Sequence, residues 1–345
     1  MYDPSQAATG NPRGGPQIFH QTHLNSRWHP SGSWTEADEH SHHDPLPRMR
    51  TLRTVAALRE ALAPQRREGK TIGLVPTMGA LHEGHLSLIR RAAADCETVV
   101  VSLFVNPAQF NESGDLDRYP RSEQRDAEAA AQAGADFLFA PAVEEVYPAG
   151  FSTSVEVLGL TERLEGACPG AAHFRGVTTI VTKLLAMALP DVAYFGEKDA
   201  QQLVVIRRLV ADLNLPVRIE GLPTVREADG LAMSSRNALL SPQEREQARA
   251  LSEALAAAER LAGQGERWAE TLLAAGNEVL ARAGLQLDYL ALVDRDTLEP
   301  VQRLERPSLL AVAARVGQVR LIDNTVLVPA AIPTSGGKAV QTCNA

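Results

Sequence analysis

Two histidines and two glycines fall within the ten residues Pro76-Thr77-Met78-Gly79-Ala80-Leu81-His82-Glu83-Gly84-His85, and the flanking chain gives that spacing a chemical meaning. Residues 71–75 (TIGLV) form a short, partly β-branched apolar run closed by Pro76. From Gly84 onward, Leu86, Leu88, Ile89 and the alanines at 92–94 recur at helical spacing. The motif is therefore a strand, a glycine-containing loop and a helix start. The free N–H groups and the dipole of a first helical turn favour an anion, typically phosphate. Two imidazoles beside it can donate hydrogen bonds to phosphoryl oxygens as charge grows in a transition state.

Taken singly, each histidine also reads as a helix cap or a surface residue. Six of the nine histidines (His20, His23, His29, His40, His42, His43) lie in the first 43 residues, and the rest of the chain holds only His82, His85 and His173. A zinc peptidase would place its histidines at i and i+4 on one helical face, as H-E-x-x-H. Here the spacing is i and i+3 with Gly84 between, and no third ligand has supporting spacing.

Three further segments have chemistry-bearing composition. In Phe104-Val105-Asn106-Pro107-Ala108-Gln109-Phe110, Asn106 and Gln109 follow a second apolar run, and glutamine offers both the donor and the acceptor that a hydroxy acid needs; an Asn-Pro turn is the alternative. Phe195-Gly196-Glu197-Lys198-Asp199 repeats the strand-to-helix geometry. A lysine at a helix start is opposed by the dipole, which is easier to understand if Lys198 faces a phosphate rather than solvent. Gln201 or Gln202, a turn further on, can point into the same crevice. Gly230-Leu231-Ala232-Met233-Ser234-Ser235-Arg236-Asn237 sets two hydroxyls and an arginine in a glycine-flanked loop suited to closing on a triphosphate. His173 and Arg175, in Gly170-Ala171-Ala172-His173-Phe174-Arg175-Gly176, read equally as a site pair or as a helix cap and packing.

The elements that must position these groups alternate. Leu52, Val55, Leu58 and Leu62 give a helical pattern directly after Met49, and residues 71–75 and 98–105 read as buried strands flanking the first helix. Helices near 122–134, 177–189 and 200–213 then alternate with strands at 136–140 and 192–195 and an extended segment at 217–225. Such alternation predicts an α/β fold, a Rossmann-like doubly wound parallel sheet over 49–224 with ligands at the C-terminal strand ends. Beyond Val225 the texture changes. Helices near 242–262 and 267–283 precede strands near 288–293, 309–314 and 319–322, a smaller α+β domain over 225–328, with a tail from 329. Residues 1–48, rich in Gly, Pro, Ser, His, Asn and Gln, cannot bury enough apolar surface to order and are expected to be a disordered extension. Met49 is then an alternative start, and the six histidines of the extension are at most a weak metal site.

A formal charge of −8 over 345 residues argues against a nucleic-acid or acidic-membrane surface and favours small-molecule chemistry. Cys96, Cys168 and Cys343 show neither paired nor C-x-x-C spacing, so no disulfide framework or structural zinc is expected. No stretch approaches the roughly 18 apolar residues of a membrane span, and no signal peptide is evident. A soluble cytoplasmic protein is expected.

The ordered set PTMGALHEGH, FVNPAQF, YPR, HFRGV, FGEKDAQQ and GLAMSSRN resembles the pantothenate synthetase (pantoate:β-alanine ligase) family, within the wider HxGH nucleotidyltransferase superfamily, over about residues 49–328. The resemblance implies a two-step reaction. The pantoate carboxylate attacks the α-phosphate of ATP and expels pyrophosphate; the β-alanine amine then attacks the acyl adenylate and expels AMP, leaving pantothenate. It implies that Met78, Gly79, Ala80, Leu81, His82, Glu83, Gly84 and His85 line the ATP site, with His82, His85 and Lys198 catalytic and His85 the proton donor. Gly196, Glu197, Lys198, Asp199, Val225, Met233, Ser234, Ser235 and Arg236 would bind ATP. Gln109 and Gln202 would hold pantoate, Gln109 also bordering β-alanine. Mg2+ would accompany ATP, with Asp126 a candidate ligand, and the family is a homodimer through its N-terminal domain.

Two residues depart from pattern. Ala232 stands where the related KMSKS loop has its first lysine, and Ala108 stands where many relatives carry a bulkier Met, so a slightly wider pantoate pocket is expected. The rival readings are another HxGH nucleotidyltransferase, which would leave AMP in its product, and a non-catalytic nucleotide- or metal-binding module using the histidine-rich extension.

Overall fold

The structure, a computed structural model, describes residues 49–110, 116, 119–167 and 170–330. The proposed extension, Cys168, Cys343 and most of the tail lie outside them. The first half of the chain runs β1 (Arg50–Leu52), α1 (Val55–Arg67), β2 (Ile72–Thr77), α2 (Glu83–Asp95), β3 (Thr98–Leu103), α3 (Glu123–Gln132), β4 (Phe137–Phe139) and the short α4 (Val143–Val146). Then come α5 (Ala171–Ala188), β5 (Val192–Gly196), α6 (Ala200–Asp212) and β6 (Arg218–Leu222).

The six strands form one sheet in the order β1-β4-β3-β2-β5-β6, every pair parallel. From β2 the chain works outward through β3 to β4, then returns to place β5 against the other side of β2. The order therefore reverses between β2 and β5, and the crevice at their C-terminal ends is the ligand position for an open α/β sheet.

Alternation along the strands builds two cores. Leu74, Val100, Phe139, Ala193 and Phe195 face one side, with Leu58 and Leu62 of α1, Leu184 of α5 and Ile206 of α6. Val75, Val99, Val101, Leu138 and Tyr194 face the other, with Ile89 and Ala92 of α2 and Ala130 of α3. Burial on both faces explains the continuous apolar runs of β2 and β3.

The chain then forms α7 (Pro242–Ala248), α8 (Ala250–Gly263), α9 (Ala269–Arg282), β7 (Gln286–Asp294), β8 (Ser308–Val316) and β9 (Val319–Leu327). The three strands make an antiparallel sheet in sequence order, and α8 and α9 share a core with it through Leu251, Leu255, Leu272, Leu310 and Val312. This is the smaller α+β part. No helix among the described residues is long and apolar enough to cross a membrane.

Four elements differ from the sequence-based expectation. Leu52 belongs to an edge strand rather than to the first helix, which starts after Thr54, whose side chain accepts a hydrogen bond from Ala57 N at 3.1 Å; three residues are too few to show a strand period. Helix α5 begins at Ala171 and runs through Gly176. A glycine there looks like a breaker, but a Cβ at that position would overlap the Ala108 carbonyl, so Gly176 lets the helix lie against the turn that carries Gln109. The helix expected over 242–262 is divided at Arg249. Strand β9 continues past Ile322 through Asp323, Asn324 and Thr325, polar residues that interrupt the apolar pattern.

Candidate active site

The loop after β2 is held by hydrogen bonds from the protein interior. Gly79 (φ +88°) and Ala80 (φ +51°) both take left-handed backbone conformations, a strained choice for alanine. The carboxylate of Asp126, on α3 and 3% exposed, accepts from Ala80 N at 2.9 Å and Leu81 N at 2.8 Å. Thr77 Oγ1 donates to Ser102 O at 2.7 Å and accepts from Gly79 N at 3.3 Å. A Cβ at Gly79 would stand 3.0 Å from Asp126 Oδ2, so the glycine serves both the turn and the approach of the carboxylate. Asp126 is thus a loop brace rather than an open ligand position.

Beyond the brace, His82 caps α2 and His85 occupies its first turn, with ring centroids 4.1 Å apart. A Cβ on Gly84 would lie 2.9 Å from His82 Cε1, so the glycine between the histidines makes room for the first ring over the helix start. That contact explains the spacing. His85 Nδ1 accepts from His82 N at 3.4 Å, which leaves the proton of the neutral ring on Nε2. Burial, aided by the neighbouring His82 ring and Lys198, pushes the His85 imidazole down to about 3, so it is neutral at physiological pH. Burial and Lys198 also lower His82, against the opposing pull of Asp199 and Glu227. His82 Nδ1 is buried without a hydrogen-bond partner in the protein, an arrangement costing about 1–3 kcal/mol unless a ligand group satisfies it.

Lys198 and Asp199 come from the 3-10 turn Glu197–Asp199 between β5 and α6, and their effect on both histidines places the two strand mouths within electrostatic reach. Asn324 of β9 donates to the carbonyls of Glu197 at 2.9 Å and Lys198 at 2.8 Å. The neighbouring Asp323 takes a bidentate pair from Arg226, at 2.7 and 3.0 Å. Arg226 opens a small hairpin in which Met233 N donates to Val225 O at 2.9 Å and Arg226 bridges Ala232. The hairpin delivers Ser234, Ser235 and Arg236. Ser235 Oγ donates to Ala80 O at 3.3 Å and hydrogen-bonds Tyr119, closing this loop onto the loop after β2. Arg236 lies within electrostatic reach of the same tyrosine.

At the end of β3, Asn106 is a buried hub. Its amide donates to Gln109 Oε1 and Gly176 O, both at 3.1 Å, and its Oδ1 accepts from Tyr147 at 2.8 Å. Gln109 Nε2 in turn donates to Met78 Sδ at 3.0 Å, joining this turn to the loop after β2. His173 Nδ1 lies 2.6 Å from Gln109 O and so anchors the turn, which favours its packing reading. The two glutamines of α6 separate cleanly. Gln201 donates to Leu160 O and Arg163 O, both at 2.7 Å, and accepts from Glu165 N at 2.9 Å. The Gln202 side chain is half-buried and makes no hydrogen bond among the described residues. Glu83 directs its carboxylate to Arg90 on α2.

Residues 50–326 match the pantoate-β-alanine ligase family model. The chain belongs to the pantoate-β-alanine ligase family. It is 53% identical to the pantothenate synthetase of Moorella thermoacetica over 281 residues, covering 81% of this chain and 99% of that protein. It is 55% identical to that of Cereibacter sphaeroides over 274 residues, 79% and 98% of the two chains. Among solved structures, pantothenate synthetase from Thermus thermophilus matches with a TM-score of 0.78 and 49% identity, covering 81% of this chain and all of that one. A Francisella tularensis family member complexed with β-γ ATP and β-alanine matches with a TM-score of 0.67 and 35% identity over 81% and 97% of the chains.

Sequence reasoning assigned no role to Tyr119, Arg226, Asp323 or Asn324, and read Asp126 only as a candidate ligand. For Asp323 and Asn324 a signal existed: with Thr325 they interrupt the apolar pattern of the last strand. For Asp126 and Arg226, surface-like positions in a charged helix and a loop, there was none.

Proposed function

We propose that this member of the pantoate-β-alanine ligase family condenses pantoate with β-alanine across the mouths of β2 and β5, with the ATP triphosphate between His82 and His85 on one side and Lys198, Ser234, Ser235 and Arg236 on the other. The observation that carries this reading is the electrostatic coupling of Lys198 to both histidines, together with the Ser235 bridge to Ala80.

In the first step the pantoate carboxylate attacks the α-phosphorus and pyrophosphate leaves. Neutral His85 donates its Nε2–H to the phosphoryl oxygens as their charge grows, and Lys198 balances that charge. The reaction needs alignment and charge stabilisation rather than a protein nucleophile. The resulting mixed anhydride is a good acyl donor. In the second step the β-alanine amine attacks its acyl carbon and AMP leaves. Gln109 and Gln202 hold pantoate, and the side-chain amide of Gln202 is uncommitted among the described residues. Mg2+ would accompany the triphosphate and offset its charge; the oxygens of Asp126 accept from the backbone N–H groups of Ala80 and Leu81 instead. A cytoplasmic homodimer fits this reading.

The test is a product assay. With pantoate and ATP alone, pyrophosphate should be released to about one equivalent per site, and free AMP with pantothenate should follow only when β-alanine is added. Pyrophosphate released without pantoate, or AMP retained in the product, would instead indicate a nucleotidyltransferase of another kind.

A further inference from the structure

We propose that Asn324 is a positioning residue for Lys198, and that the Asp323-Asn324 step of β9 sets the spacing between the lysine turn and the serine-arginine loop. The inference rests on the reading of Lys198 as a phosphate contact. Asn324 is 9% exposed, and its amide nitrogen donates to two successive carbonyls, those of Glu197 and Lys198, which spends both of its hydrogens on one turn. An amide donor fixed on consecutive carbonyls restrains both position and rotation of the backbone that carries Lys198.

The preceding residue does the same for the other segment. Asp323, 2% exposed, is paired through both oxygens with Arg226. That guanidinium also donates to Gly230 O at 3.1 Å and Asn324 O at 3.4 Å. Adjacent strand residues face opposite sides of a sheet, so one dipeptide reaches both segments. The path runs from the Lys198 turn through Asn324, Asp323 and Arg226 to the hairpin, whose Ser235 reaches back to Ala80. Strand β9 therefore contributes to the catalytic geometry without touching substrate. A displacement of about 1 Å at a reacting group costs as much as a hundredfold in rate.

A residue that only supports the fold would lower activity by the same factor whether or not Lys198 is present. One that acts through Lys198 would not, and a double-mutant cycle separates the two. The rate measured is steady-state pyrophosphate release by the full chain turning over with pantoate, ATP and β-alanine. Asn324→Ala should lower kcat about ten- to hundredfold with the pantoate KM unchanged. In the Lys198→Ala background the same substitution should cost less than about threefold. Asn324→Asp keeps the shape but sets carboxylate oxygens against two carbonyls, and should be at least as slow as Asn324→Ala. Should Asn324→Ala fail to fold, Asn324→Ser, which keeps one donor, carries the cycle. Equal losses in both backgrounds, or a native kcat with only a lowered melting temperature, overturn the proposal while leaving the role of Lys198 intact. A native rate in Lys198→Ala alone overturns both.

Discussion

The two loops that meet across the switch point are braced in opposite senses and from different parts of the chain. After β2 the brace is an acceptor: the Asp126 carboxylate takes the N–H groups of Ala80 and Leu81 from a helix packed on the same parallel sheet. After β5 the brace is a donor: the Asn324 amide gives to the carbonyls of Glu197 and Lys198 from a strand of the antiparallel sheet. Each side chain matches the polarity of the backbone groups it must satisfy. The difference lies in what each mouth depends on. The histidine loop takes its charged brace from a helix on its own sheet, with Ser235 adding one hydrogen bond from the later hairpin, whereas the lysine turn takes its amide brace from β9 of the antiparallel sheet.

Breaking the first brace should have the largest effect. Asp126→Ala leaves two backbone N–H groups without their charged acceptor and should cost about 3 kcal/mol of stability, read from urea midpoints, together with most of the adenylation rate. Asp126→Asn, which keeps one acceptor oxygen, should fall between; equal stability of all three proteins would remove Asp126 as a brace. Next comes the contact that sets the histidine spacing. Gly84→Ala places a methyl group 2.9 Å from the His82 ring and should slow adenylation about tenfold or more by displacing it, with little loss of stability. A native rate would show that the ring position is not critical.

On the lysine side, adjacent glutamines should part company. Gln201→Ala gives up three hydrogen bonds to the segment 160–165 and should lower the melting temperature. Gln202→Ala should leave stability unchanged and raise the pantoate KM. Reversed outcomes would exchange their roles.

The smallest effect is in acid. Burial holds the folded pKa of His85 at about 3, below its ordinary 6.5, so between these values the unfolded chain binds a proton that the folded one does not. Its contribution to stability is therefore complete above about pH 6.5 and is lost as pH falls toward 3. Urea midpoints of His85→Gln should decline less steeply than native ones below about pH 6.5, and parallel declines would contradict the buried neutral ring.

The same contrast explains what the sequence made legible. Strands β2 to β5 and their helices announce themselves through apolar runs and periods, and motifs at strand ends inherit their position from them. Hence the His82–His85 and Lys198 motifs could each be set at a strand-to-helix junction before any coordinates, while grouping them with Ser235 rested on the family resemblance. The braces could not. Asp126 bonds backbone 46 residues away, and Asn324 reaches across 127; the polar break in β9 marks Asn324, but at such distances no local pattern names a partner. Gln201 and Gln202 show the limit at its sharpest: identical neighbours on one helix, told apart only by what lies around each.

The most direct test of a triphosphate held between two separately braced mouths is pantoate-dependent exchange of labelled pyrophosphate into ATP, with one variant from each side. His85→Ala and Lys198→Ala should each lower exchange about 100- to 1000-fold, while transfer from added pantoyl adenylate to β-alanine is far less affected. Near-native exchange in either variant would contradict the shared site.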